Sequence, residues 1–158
     1  MLRLFTAPTL VAFGVIAALS GARDACAQSN PDDILVIANV GVPVESLSLA
    51  DMRDIYNKTR TRWDGAGSIV PVNAPRSSQL RLDFVKRLFG SSLPERGVYW
   101  EKRKVSDGAQ PPIEFSLPLK ACFRLKGSLC YVYRKDYQPG VVKVVLTLRG
   151  ESPTPKAR

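Results

Sequence analysis

The order of short apolar runs and amphipathic stretches restricts this chain to one class of fold. The compact, β-branched run Ile34–Ala38 predicts a buried strand, and Ile69–Asn73 predicts another, in which Pro71 favours a sheet edge or a strand end. Between them, Ser48 and Asp51 are close to a capping box, which predicts the start of an amphipathic helix. Similar patterns predict helices from Ser77 or Ser78 to Phe89, a shorter one after Ser92 and another over Leu117–Leu125, and strands over Leu129–Tyr133 and Val141–Leu146. Strands that alternate with helices predict an α/β domain with one mixed central sheet flanked by helices.

The N-terminus has the pattern of an export signal. Arg3 precedes an uncharged, mostly apolar stretch, Ala7–Leu19, and Ala25–Ala27 places small residues where signal peptidase reads the chain. We therefore expect residues 1–27 to be a signal peptide that is removed after Ala27. The product is expected to be periplasmic or secreted.

Two other interpretations of this segment fit the residues less well. A membrane-spanning helix needs about 18 consecutive apolar residues, and Pro8 and Gly14 interrupt a shorter run. A lipid anchor on Cys26 requires an apolar lead-in that Arg23 and Asp24 do not provide. No later stretch is long and apolar enough to cross a bilayer, so no stable membrane insertion is expected.

The composition of the remaining chain argues against most catalytic sites. Removal of 27 of the 158 residues leaves 131, enough for one domain over residues 28–150 and a tail, 151–158, expected to be disordered. The chain has no histidine, which excludes a Ser-His-Asp triad and a Cys-His pair. No carboxylate or cysteine spacing indicates a metal, and no cofactor motif is present. A non-enzymatic protein without cofactor or metal is therefore expected.

The charge of the chain indicates anionic partners. The leader carries two of the 23 basic and one of the 14 acidic residues, so the mature chain has a net charge of +8. The densest basic clusters, Lys58–Arg62 and Lys102–Lys104, contain no interleaved aromatic residues of the kind that stack on nucleic acid. Export also argues against a nucleic-acid partner. Small anions and envelope proteins remain as expected partners.

Two cysteines follow the leader, Cys122 and Cys130. In an oxidising compartment such a pair is expected to form a structural disulfide. The alternative is a pair of buried free thiols.

The predicted second helix carries a cation on its apolar side. On a helical wheel Arg81 falls in the middle of the apolar arc formed by Leu80, Leu82, Phe84, Val85, Leu88 and Phe89. A cation in the first turn also opposes the positive end of the helix dipole, and an anion bound there would reverse both penalties. Alternatively, the Arg81 stem lies on apolar surface while its head reaches water or a carboxylate.

Several ordered segments resemble the phosphate-binding proteins of phosphate ABC transporters, which are type II periplasmic binding proteins. Leu47–Leu49, Ile55–Lys58, Trp63–Gly65 and Ile69–Val72 follow that family's order, and Gly127–Val132 is similar to its G-S-I-G-Y-V segment. The matches run from about Ile34 to Tyr133. Full members have two lobes that clamp the anion, so the resemblance implies that this chain is a single lobe, similar to the contiguous second one.

The same resemblance implies where an anion would bind. The family places an Arg and then S-G-T at a helix N-terminus, and here that segment runs from Asn73 to Gln79. Ser77 matches the serine, whereas Ser78 replaces the glycine, Gln79 the threonine, and Asn73 stands where the arginine would be. We add Arg76 and Arg81 as cations that restore charge nearby. The candidate ligand-binding residues are thus Asn73, Arg76, Ser77, Ser78, Gln79 and Arg81.

Two functions follow from these expectations. The first is a non-enzymatic solute-binding lobe that binds phosphate or another small oxyanion weakly, linked to phosphate uptake or sensing. The second is an envelope interaction module that has kept the fold and lost the ligand, and docks on an envelope or transporter protein through its basic face.

Overall fold

The structure is a computed structural model that describes residues 30–150. The predicted leader, 1–27, and the predicted tail, 151–158, lie outside this range. The elements in chain order are β1 (Ile34–Ala38), α1 (Leu49–Tyr56), β2 (Arg62–Trp63), β3 (Ala66–Ser68), β4 (Val70–Asn73), α2 (Gln79–Phe89), α3 (Leu93–Asp107), β5 (Ile113–Glu114), α4 (Pro118–Arg124), β6 (Ser128–Tyr133) and β7 (Lys143–Leu148), with a 3-10 turn at Arg134–Asp136. Within this range no helix has the length and apolar character needed to span a membrane.

Five strands form one mixed sheet in the order β5-β4-β6-β1-β7, and β2 pairs separately with β3. Strand β4 runs parallel to β5 and β6, whereas β1 is antiparallel to β6 and β7. Because β5 pairs only with Val72 and Asn73, β4 is itself the sheet edge at Pro71. The expected mixed sheet is confirmed, and so is the position of the proline.

Helices cover the two faces of this sheet unequally. In β1, Ile34, Val36 and Ala38 face α1 and α2, while Leu35 and Ile37 face α4. The first face contributes most of the buried side chains, including Met52, Ile55, Phe84, Leu88, Leu129, Tyr131 and Val145. The second face is covered by α4, a helix of only seven residues.

The third helix is longer than the sequence pattern predicts. A capping box between Ser92 and Glu95 begins α3, and Gly108, in the left-handed conformation with φ of 70°, ends it after 15 residues. We expected a shorter helix after Ser92. The β2–β3 hairpin was also not predicted, because strands of two and three residues carry no readable periodicity.

The predicted disulfide is wrong, because Cys122 and Cys130 are both buried free thiols. The Sγ atom of Cys122 donates a hydrogen bond to the carbonyl oxygen of Ile37 at 3.4 Å. Burial, followed by the neighbouring Cys122 thiol, raises the pKa of the Cys130 thiol. The two side chains therefore join α4 to the sheet through apolar packing and hydrogen bonds, without a covalent link.

Gly127 lies in a tightly packed part of the chain just before β6. Its φ is 74°, and a Cβ atom there would clash with the backbone carbonyl oxygen of Ser68. Gly108 has the same backbone conformation but open space around it. We expect Gly108→Ala to cost about 1 kcal/mol of unfolding free energy through backbone strain alone. Gly127→Ala should cost at least about 2 kcal/mol more, because the Ser68 backbone must move.

Urea unfolding of both variants and the parent chain measures this difference. Equal losses for Gly108→Ala and Gly127→Ala would show that the contact between Gly127 and Ser68 is not tight.

Candidate functional site

Arg81 is buried although it belongs to the first turn of α2. Its side chain faces the sheet, and the residue is only 9% exposed. The Nη1 atom donates a hydrogen bond to the hydroxyl oxygen of Tyr131 at 3.1 Å. The guanidinium is therefore turned inward, as the position of Arg81 on the helical wheel suggested.

Tyr131 forms the platform on which this guanidinium rests. Its hydroxyl accepts a hydrogen bond from the Ala74 N–H at 3.0 Å and donates one to Oδ1 of Asn73 at 3.4 Å. Its ring stacks on Phe84 with 3.6 Å between centroids and 3° between planes. Burial raises the pKa of the Tyr131 phenol, so this hydroxyl stays neutral and holds Arg81 without offering a counter-charge.

The positive charge of Arg81 is not neutralised by a carboxylate. None of the ion pairs within residues 30–150 includes Arg81. Its Nε atom is buried and has no hydrogen-bond partner. An unpartnered buried donor on a charged group costs roughly 1–3 kcal/mol or more, so this arrangement favours an incoming acceptor.

A second guanidinium from α3 lies close to the first. Arg96 stacks over the Phe89 ring at 3.8 Å and the Tyr99 ring at 4.3 Å, and donates a hydrogen bond to Oδ1 of Asn57 at 2.7 Å. Burial lowers the pKa of the Arg96 guanidinium, and the positive charge of Arg81 lowers it further. The two like charges therefore repel each other across the space between α2 and α3.

This space is a cavity of about 280 Å³ at the carboxyl ends of β4 and β5. Its lining contains four basic side chains, Arg76, Arg81, Arg96 and Lys104, and two acidic ones, Glu101 and Glu114. Asn73, Trp100 and Pro112 also line it, and a small void of about 10 Å³ lies beside Arg81, among Tyr56, Phe84 and Phe89. The cavity is positively charged and has its most buried charge at its inner end.

The structure brings only some of the sequence-predicted residues to this cavity. Asn73, Arg76 and Arg81 line it. The Ser78 hydroxyl instead caps α2, accepting from the Arg81 N–H at 3.3 Å and donating to the Pro75 carbonyl at 2.7 Å. Gln79 turns away and donates to Oδ1 of Asp83.

Ser77 is exposed beside these residues and does not line the cavity. The cavity therefore centres on Arg81 and α3, at the side of the first turn of α2.

Sequence reasoning missed the residues that α3 contributes. Arg96, Trp100 and Lys104 lie four residues apart and so share one helix face. That spacing is readable in the sequence, but Lys102–Lys104 was considered only as a basic cluster and Arg96 and Trp100 were not considered as site residues. Nothing in the sequence shows that this face of α3 meets Arg81, because the contact depends on how α2 and α3 are joined.

The basic cluster at Lys58–Arg62 is partly neutralised. Arg60 pairs with Asp51 at 3.0 Å and with Asp64 at 3.1 Å. This leaves Arg62 as an exposed cation on β2.

The position of the cavity in the fold is typical of a ligand-binding site. Open α/β sheets bind ligands at the carboxyl ends of parallel strands, and here a positively charged cavity lies at that edge of a single lobe. No protein-family model and no curated protein sequence matches the chain.

Solved structures do match. A putative phosphate ABC transporter substrate-binding protein with bound phosphate from Clostridium perfringens is similar with a TM-score of 0.54 and 22% identity, over 72% of this chain and 44% of that one. An ABC-type phosphate transport receptor from Vibrio cholerae is similar with a TM-score of 0.56 and 19% identity, over 72% and 45%. The chain thus shares the fold of one part of these two proteins, in agreement with the single lobe that the resemblance implied, and spans less than half of their length.

Arg81 gives a stability test of the site. Because its charge is buried without a counter-ion, Arg81→Met should raise the unfolding free energy of the ligand-free protein by about 1 kcal/mol. Tyr131 keeps its bonds to Ala74 and Asn73 in this variant. The exposed Arg62→Met is the matched control and should change stability by less than about 0.5 kcal/mol.

Chemical denaturation without phosphate or sulfate measures both values. A loss of stability in Arg81→Met would mean that Arg81 serves the fold rather than a ligand.

Proposed function

We propose that this chain is a non-enzymatic solute-binding lobe that binds phosphate or another small oxyanion between α2 and α3. The observation that carries the proposal is the buried Arg81 guanidinium, which has a hydroxyl partner and, among residues 30–150, neither a partner for its Nε atom nor an ion pair with a carboxylate. The phosphate named in the description of the Clostridium perfringens structure supports the choice of ligand.

The anion would be held by charge-assisted hydrogen bonds. Arg81 supplies the buried charge, Arg96 a second guanidinium already oriented by its aromatic stack and Asn57, and Arg76 and Lys104 the charge near the entrance. An anion between Arg81 and Arg96 removes their mutual repulsion. The proposed centre therefore keeps Asn73, Arg76 and Arg81 of the expected set, and residues of α3 take the place of Ser77, Ser78 and Gln79.

We propose weak binding, because one lobe leaves the anion partly hydrated. Two solved structures of this fold are more than twice as long as the part matched here. Glu101 and Glu114 also line the cavity and reduce its net charge. The dissociation constant for phosphate is expected to be about millimolar unless a partner protein supplies the missing wall.

The proposal includes export of the chain. Residues 1–27 would direct it out of the cytoplasm and be cleaved after Ala27, leaving a lobe over residues 28–150 and a short tail over 151–158. A periplasmic lobe would take part in phosphate uptake or sensing together with envelope or transporter proteins.

Calorimetric titration with inorganic phosphate at low ionic strength tests the function. The parent chain should bind, Arg81→Met should show no measurable heat, and Lys104→Met should bind about threefold more weakly, because Lys104 is exposed. Arg62→Met, outside the cavity, should match the parent chain.

A flat trace up to millimolar phosphate and sulfate would remove the small-anion function. The interaction module would then be the better proposal, since this chain matches less than half of each neighbour. In that case Arg62→Glu should lose envelope partners in a pull-down that Lys102→Glu retains. If both variants lose the partners, or if neither does, the surface around Arg62 on β2 is not the docking surface.

A further inference from the structure

A groove between the second face of the sheet and the start of α2 has no role in the proposed oxyanion site. It lies beside α4, has Val132 of β6 in its lining and has a volume of about 570 Å³. Its apolar lining consists of Leu80, Leu117, Leu119, Phe123, Val132 and Val141. We call it the α4 groove. Its size and apolar lining are typical of small-molecule sites, which measure about 300–1,000 Å³.

Large apolar side chains are left in contact with water around the groove. Phe123 is 58% exposed, Leu117 56% and Val141 37%. They occur together because the single short helix α4 covers this face, whereas α1 and α2 cover the other one. Exposed apolar side chains that surround one concave groove favour a ligand-binding role for that groove.

The same groove carries cations on its helical wall. Lys120 and Arg124 lie one turn apart on α4, and both line the groove. Neither takes part in an ion pair within residues 30–150. Both also line a shallower depression next to Phe115, which has no acidic side chain in its lining. Asp136 is the acidic residue of the groove itself.

We propose that the α4 groove binds a single-chain amphiphile with an anionic head, such as a fatty carboxylate. The alkyl chain lies along Leu117, Phe123 and Val132, and the carboxylate lies between Lys120 and Arg124. A second copy of this chain is a poorer occupant, because two basic rims would face each other in a protein of net charge +9. The concave form and volume of the groove also suit one alkyl chain better than a flat protein surface.

The site is independent of the oxyanion cavity. No residue lines both the α4 groove and the cavity between α2 and α3. Failure of phosphate binding therefore leaves this proposal unaffected, and the converse also holds.

Titration of the purified chain with octanoate, decanoate and 1-octanol, followed by two-dimensional NMR, tests the proposal. Concentrations stay below the critical micelle concentration of each amphiphile. Octanoate should shift the signals of Leu117, Phe123, Val132 and Val141. Each methylene added between octanoate and decanoate should raise the affinity by about fourfold where it is fully buried.

Two variants separate the roles of the charge and the apolar surface. Lys120→Glu with Arg124→Glu should weaken decanoate binding about fivefold or more and leave 1-octanol binding unchanged. Phe123→Ser should weaken both ligands, and since Phe123 is exposed, the variant should keep the fold. The control, Arg62→Glu with Lys102→Glu, makes the same change of charge at exposed positions outside the groove.

Three results would overturn the proposal. Groove signals that do not move in the carboxylate series would exclude the site. Equal loss of decanoate binding in the control double variant would show a general charge effect. Binding to vesicles of phosphatidylcholine and phosphatidylglycerol without binding to monomeric decanoate would identify a membrane surface instead.

Discussion

The inward-facing guanidinium of Arg81 is the constraint on which the candidate site depends. A cation of this kind normally meets a carboxylate when it is buried, because desolvation of a single charge is expensive. Here the neutral Tyr131 hydroxyl takes that place, and it keeps the guanidinium in position while leaving its charge uncompensated. The protein thereby retains an electrostatic cost that a bound anion would relieve.

The surrounding core explains why Arg81 cannot simply turn outward. Its helix packs on the sheet through Phe84, whose ring stacks on Tyr131, and Tyr56 packs against both rings. Tyr56 is in turn fixed by its hydroxyl, which donates to the carbonyl oxygen of Val72 at 2.9 Å. The aromatic cluster therefore sets the rotation of α2, and this rotation places position 81 above the Tyr131 hydroxyl.

Local sequence patterns predicted the helices and strands of this arrangement but not the contacts between them. The apolar arc of α2 pointed to Arg81, and the predicted helix, which begins at Ser77 or Ser78 and ends at Phe89, agrees with the observed one, which Ser78 caps. The partnership with Tyr131, 50 residues away, and the approach of Arg96 depend on strand order and on the angle of α3, which no local periodicity specifies. The prediction of a disulfide was wrong for the same reason. It rested on the expected oxidising compartment and on the number of cysteines, and neither shows how α4 packs on the sheet.

The uneven covering of the sheet follows from how α4 is attached. Asn39 donates to the carbonyl oxygens of Cys122 and Phe123, and the Ser128 hydroxyl bonds the Cys122 and Leu125 carbonyls. A helix of seven residues is not stable alone, so these bonds at its C-terminal end hold it against β1 and β6. Because attachment is concentrated at that end, the start of α4 and the outer face bearing Phe123 are left without cover. The charged cavity and the apolar groove thus have separate linings, although both reach the first turn of α2, through Arg81 and Leu80.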